Sequence, residues 1–186
     1  MNKKIHLPRL GMKFPDFIFV GVVLANLVLV GYLGIGDYQR GRLVADSQQN
    51  GEQIVAWFEN FALKFQDGSA ISPQSCIPIS EEVNGQKGAK INTWKSCVED
   101  LYGINGPFHQ YTNLLIPKAP AYAAKCDKRE LDSSGAFIFE KLTANPAGPP
   151  SAGPMEPGEK LLGGINIRLS LCDTGYYLIK IGEFKL

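Results

Sequence analysis

Three groups of residues in this chain have types and spacings that could do chemistry. The first surrounds Asp16, a carboxylate five residues past Gly11 at the mouth of an uncharged run. Hydrolysis of the Gly11–Met12 bond would give Met12 a free α-amine and leave Asp16 fifth in the shortened chain, an ammonium and a carboxylate able to pair. An unpaired carboxylate carried toward hydrocarbon is costly, so a residue of this kind marks a function or a partner. The second group is four thiols, Cys76, Cys97, Cys126 and Cys172, whose spacings are far from C-x-x-C and so point to disulfides rather than to zinc. The third is a lone histidine past Gly11, His109, with no G-x-S-x-G or H-E-x-x-H pattern near it and no G-x-x-x-x-G-K-S/T loop anywhere. Catalysis needs convergent nucleophile, base and orienting groups. The expectation is therefore no enzyme, no metal and no cofactor.

The element that must position Asp16 is the apolar run behind it. Phe17 to Ile35 is nineteen residues without a charge, and its one strongly polar side chain is Asn26. As a helix it would rise about 28 Å, one bilayer hydrocarbon core. Lys3, Lys4, Arg9 and Lys13 precede it, whereas only Arg40 and Arg42 follow closely, which places the N-terminus in the cytoplasm and exports the rest. A cleaved secretory signal is disfavoured: the run exceeds the usual apolar core and no A-x-A site follows near Gly34-Ile35-Gly36. A plain membrane anchor, with Asp16 complementing the helix dipole, is the simpler alternative.

A short basic leader ending in Gly11, a new start at Met12 and an acid at the fifth place inside a long apolar helix resembles the class III signal of type IV pilins and pseudopilins. The resemblance covers roughly the first third of the chain. It departs from most of the family in having Asp16 for Glu, Met12 for Phe and Pro15 before the acid; proline fits a first helical turn, where its missing N–H costs nothing. The resemblance implies cleavage after Gly11 by a prepilin peptidase, methylation of the Met12 amine, and pairing of Asp16 with a neighbouring subunit's Met12 as helices bundle. The partners implied are other pilin subunits, the peptidase, the pilus assembly machinery and the membrane. The location implied is the bacterial cytoplasmic membrane before assembly and the cell surface after it. The alternative is a single-pass anchored extracytoplasmic binding or sensor domain.

Removing residues 1–11 takes away three cations and no anion, leaving 16 Lys plus Arg against 18 Asp plus Glu, a net of −2. That supplies no general drive toward nucleic acid. DNA contact would need one of two local basic runs, Lys125-Cys126-Asp127-Lys128-Arg129 or Lys87-Gly88-Ala89-Lys90, for which solvated surface is the default reading. The four cysteines allow three pairings. Cys76 with Cys97 and Cys126 with Cys172 close the shorter loops and are favoured, and the second pair resembles the loop-closing disulfide of pilin-like heads.

The remaining elements follow in order. Leu43, Val44, Ile54, Val55, Phe58, Phe61, Ala62 and Phe65 fall at helical spacing, continuing one helix from about Phe14 to Gln66 that Gly68 ends. The stripe Trp57, Phe58, Phe61, Phe65 is expected to face a sheet. Asn92-Thr93 is expected to cap a short helix through Tyr102, with Trp94, Cys97, Val98 and Leu101 on one side and Gly103 as its stop. Strands are expected at Asn113 to Pro117, Ala136 to Leu142, Gly164 to Cys172 and Tyr176 to Phe184, the last two a hairpin about Asp173-Thr174-Gly175. Five prolines and three glycines between Thr143 and Lys160 predict an exposed loop with no part in the core. The expected organisation is a leader (1–11), a transmembrane and assembly half of the helix (12–36) and one exported head (37–186). The expected fold is α+β and pilin-like, with a long N-terminal helix packed on a C-terminal antiparallel sheet that keeps one wet face.

Overall fold

The computed structural model describes residues 14–69, 72–78, 92–146 and 148–186, with side chains from residue 17 onward. It is α+β. Helix α1 (Phe14–Gln66) is one unbroken element of 53 residues. Chain contacts divide the protein into a unit up to Gly41 and a unit Arg42–Leu186.

Why α1 stops where it does is local chemistry. Gly68 takes the left-handed conformation at φ 68°, which costs a residue without Cβ nothing. The Gly68 N–H then donates to Phe65 O at 3.2 Å and the Ser69 N–H to Lys64 O at 3.0 Å. Those two bonds satisfy carbonyls the helix end would leave orphaned, the Schellman arrangement.

Five strands form one sheet: β1 (Tyr122–Ala123), β2 (Phe137–Thr143), β3 (Ser151–Pro154), β4 (Asn166–Cys172) and β5 (Leu178–Lys185). The main order is β1-β2-β4-β5, with β3 also on β2. β2 with β4 and β4 with β5 are antiparallel, Phe139 lying opposite Leu169 and Ile167 opposite Phe184. Ile54, Phe58 and Phe61, spaced to share one face of α1, are buried with Phe137, Phe139, Ile167, Leu169, Leu171 and Phe184. Full burial of each such side chain is worth roughly 1.5–3 kcal/mol. Two glycines let helix and sheet approach: a Cβ on Gly182 would lie 3.0 Å from Val55 Cγ2, and one on Gly51 would collide with Ile181. The β4–β5 register shifts after Leu169, leaving Ile181 as the extra residue of a bulge.

Four expectations need correction. The sheet is mixed and not wholly antiparallel, because Tyr122 and Ala123 pair parallel to Phe137 and Ile138; two residues carry too little alternation to be read as a strand. Residues 113–117 form no strand. Asn113 is buried, and its Oδ1 accepts from the Leu115 and Ile116 N–H groups at 3.1 and 2.8 Å, an Asx turn that competes with any ladder. The proline-rich segment is not wholly exposed loop. Ser151–Pro154 pairs with Glu140–Thr143, Pro154 standing where an edge strand tolerates a missing donor, and Met155 is buried. The last strand starts at Leu178 and not at Tyr176, because Tyr176 belongs to the turn with positive φ (62°), and Asp173 Oδ1 organises that turn by accepting from the Gly175 and Tyr177 N–H groups.

The second sheet face is also only partly wet. Ile138, Ser170 and Cys172 point away from α1 yet are buried. The Cys126–Cys172 bond ties the chain before β2 to this face at β4, and Asn113 Nδ2 donates to Ser134 O at 2.7 Å.

Phe65, one turn beyond Phe61, is 41% exposed and departs from the expected core stripe. It borders a cleft of about 1080 Å³ that Phe61, Leu142, Phe184 and Leu186 also line.

Candidate assembly surface and disulfide-braced head

Gly11 and Met12 lie outside the described residues. Asp16 is the third residue of α1, so its backbone sits in the first turn, where the free N–H groups and the macrodipole favour an acidic residue type. Its side chain lies outside what is described, as do Lys87 to Lys90.

From Phe17 to Ile35 the helix presents exposed apolar side chains. Among the described residues one helix is long and apolar enough to cross a membrane, and none of its most hydrophobic window is buried. Phe19 is 71% and Val28 71% exposed, a contiguous apolar surface that water does not tolerate and that a bilayer or other helices would cover. Asn26 bonds its own helix, Nδ2 donating to Val22 O at 2.8 Å.

In the head, Cys76 joins Cys97 and Cys126 joins Cys172, with Cα separations of 4.5 and 5.4 Å. The first bond ties a 3-10 turn (Gln74–Cys76) to helix α2 (Trp94–Tyr102). Thr93 and Ser96 form a reciprocal capping box at the start of α2. The Trp94 and Lys95 N–H groups donate to Glu159 O and Pro157 O at 2.8 and 3.0 Å, so the proline-rich segment satisfies a helix end that would otherwise lack acceptors. Trp94, Cys97, Val98 and Leu101 are its buried face. Asn92 closes the turn, donating to both Gln74 O and Ile77 O.

Two clusters of charged groups in the head are paired. Lys125 lies 3.2 Å from Glu130 and 3.5 Å from Asp127, and its hydrogen bond to Glu130 raises its pKa. Asp127 is held below the usual carboxylate range by the Arg129 backbone N–H and by Lys125. The basic run at 125–129 is thus interleaved with its own acids. Glu183 is likewise lowered, first by Lys180 and then by Arg168, at 2.8 and 3.0 Å; these pairs are exposed and contribute little to stability. His109 caps a turn through Gly106 O at 3.1 Å. Among the described residues no three His, Cys, Asp or Glu side chains are placed to hold a metal.

Tyr102 is a site residue the sequence did not single out. Its hydroxyl is buried without a hydrogen-bond partner among the described residues, while Tyr111 donates to Gln53 Oε1 at 2.5 Å. Burial, reinforced by Tyr122 and Tyr111, raises the Tyr102 pKa. Below the ordinary phenol pKa of about 10 both folded and unfolded chains keep the proton. Above it the unfolded chain releases a proton that the fold retains, so stability is lost as pH rises. Tyr102→Phe is expected to stabilise the fold by about 1 kcal/mol and to flatten the alkaline decline, as measured by urea midpoints between about pH 8 and 11 around that phenol value. A Phe variant with wild-type stability and an unchanged alkaline slope would refute this account.

No protein-family model matches the chain, and no curated protein and no solved structure matches it.

Proposed function

We propose that this chain is a structural subunit of a type IV pilus or related filament, made as a precursor, cleaved after Gly11 by a prepilin peptidase and assembled through its N-terminal helix. The observation that carries the reading is α1 itself. One uninterrupted helix exposes an uncharged apolar surface from Phe17 to Ile35 and, from Ile54 on, supplies core residues to a disulfide-braced head. A protein that only needs anchoring has no need for its anchor and core helix to be one element. A subunit that leaves the bilayer and buries the same surface against its neighbours does. The leader pattern, the acid in the first turn and the α+β head add to the reading.

In this mechanism the apolar helix surface supplies cohesion through burial, and Asp16 supplies register by meeting a neighbour's Met12 amine. The head is braced by Cys76–Cys97 and Cys126–Cys172, bonds that form and persist in an oxidising exterior.

The test is the intact mass and N-terminal sequence of membrane-extracted protein expressed with and without a prepilin peptidase. A start at Met12, one methyl group heavier and dependent on the peptidase, is the expected result. A start at Met1 under both conditions would overturn it and favour the anchored binding domain; a start near Asp37 would make the protein freely secreted.

A further inference from the structure

The two disulfides sit in opposite surroundings. Cys76 and Cys97 are both fully buried and belong to the hydrophobic core. Cys172 is fully buried too, but its partner Cys126 is only half-buried, and Ala124, Lys125, Lys128 and Arg129 around it are exposed. A thiolate attacks a disulfide in line with the two sulfurs, from the side opposite the leaving one, so access decides which sulfur is struck. At Cys126 the attacker meets the one cysteine with exposed surface, and the leaving sulfur is the buried one. Attack on Cys172, Cys76 or Cys97 would have to pass through packed protein.

Local charge favours the same approach. The basic run has no part in the proposed assembly, yet residues 125–130 hold three cations against the carboxylates of Asp127 and Glu130. Lys125 faces those two acids, and Lys128 and Arg129 are exposed beside them. A net positive, partly exposed setting is where thiolate chemistry at cysteine concentrates.

Opening this bond does not require opening the head. The Gly135 N–H donates to Cys172 O at 2.7 Å and the Cys172 N–H to Ala136 O at 3.0 Å, while Ser134 Oγ donates to Asp173 O at 3.3 Å. These bonds join the chain before β2 to the end of β4 without any sulfur.

We propose that Cys126 is a thiol–disulfide exchange site, at which an external dithiol opens the Cys126–Cys172 bond in the folded head and leaves Cys76–Cys97 closed. The incoming thiolate bonds to Cys126 Sγ, the Sγ–Sγ bond breaks, and its electron pair leaves on Cys172 Sγ. Ser133 Oγ, 3.9 Å from that sulfur, places a hydroxyl beside the buried thiolate. The second thiolate of the dithiol then attacks its partner sulfur in the mixed disulfide and releases Cys126. The dithiol is oxidised to a disulfide, and the two protons it loses are taken up by Cys126 and Cys172. The inference concerns the head alone and rests on neither cleavage nor filament formation.

The test uses the full-length, oxidised protein in detergent, treated with dithiothreitol or with reduced thioredoxin, alkylated at intervals and mapped by peptide mass. Cys126 and Cys172 are expected to label at least about a hundredfold faster than Cys76 and Cys97, whose bond waits for global opening of the fold. Near-ultraviolet circular dichroism should hold steady while they label. Reaction with both reagents shows a site open to a protein dithiol, and reaction with dithiothreitol alone restricts it to small dithiols; either sustains the proposal. With glutathione, a monothiol, the trapped adduct should sit on Cys126. Lys128→Glu with Arg129→Glu should slow that adduct about threefold at low salt, and an unchanged rate would strike the basic run from the site. Equal labelling of the two pairs, an adduct on Cys172, or loss of the near-ultraviolet signal in step with labelling would each overturn the proposal.

Discussion

Asp16→Ala is expected to abolish filament formation while leaving the precursor inserted and the head folded. In the proposed assembly, each added subunit places its Met12 ammonium against a neighbour's Asp16 inside a bundle of apolar helices. Removing the carboxylate strands that ammonium in a medium where an uncompensated charge costs on the order of 3–5 kcal/mol. That lowers the affinity of each addition by roughly a hundredfold or more. Membrane insertion does not suffer, because alanine removes a charge from the end of the apolar run. The head does not suffer either, since Asp16 lies in the unit ending at Gly41 and the core residues lie in Arg42–Leu186. Electron microscopy and sheared-fibre yield read assembly, and near-ultraviolet circular dichroism of the membrane-extracted protein reads the head. Asp16→Glu should restore fibres. Normal filaments from Asp16→Ala would remove the register mechanism, and a disordered head would show that Asp16 acts on folding.

Phe58→Ala is expected to be the most damaging single truncation in the head, at about 3–5 kcal/mol. Phe58 is fully buried on α1. Its ring stacks on Phe184 at a 4.2 Å centroid distance and 5° between planes, and meets Trp57 edge-on at 5.0 Å. It therefore joins the helix to the last strand, and rigid neighbours on both sides cannot collapse into the space it leaves. Domains of this size carry a net stability of only about 5–15 kcal/mol, so the loss is a large share of the whole. Phe65→Ala, on the same helix but 41% exposed, is the matched comparison and should cost less than about 1 kcal/mol. Urea midpoints of the full chain in detergent, monitored by Trp57 and Trp94 fluorescence, measure both. Equal losses at the two positions would mean that α1 is not pinned to the sheet through Phe58.

The two predictions probe opposite ends of one helix, and that helix was the most legible feature of the sequence. Its bounds follow from signals that act within a few residues: an uncharged run long enough for a bilayer, a 3.6-residue apolar period after Asp37, and Gly68 placed where only a left-handed residue closes the last carbonyls. A cap at Asn92-Thr93, which the fold places at Thr93, and the shared face of Trp94, Cys97, Val98 and Leu101 were readable for the same reason. So was Asp16 as an acid at a helix start, because an isolated charge beside an apolar run is a local anomaly.

What only the tertiary structure decided depends on partners distant in sequence. Asn113 looked like the start of a strand because nothing local announces that its amide will bridge to Ser134 while its Oδ1 closes an Asx turn. The proline-rich stretch looked unable to pack because prolines remove donors, yet β2 needed only an edge partner and α2 needed carbonyl acceptors, which proline-rich backbone supplies. Tyr122 and Ala123 became a parallel strand through β2 alone. By itself the sequence determined α1, α2, β2, β4 and β5, since propensity, period and capping act between near neighbours. The three-dimensional structure decided which face each element buries and which polar groups find partners, because those depend on contacts that only the closed fold brings together.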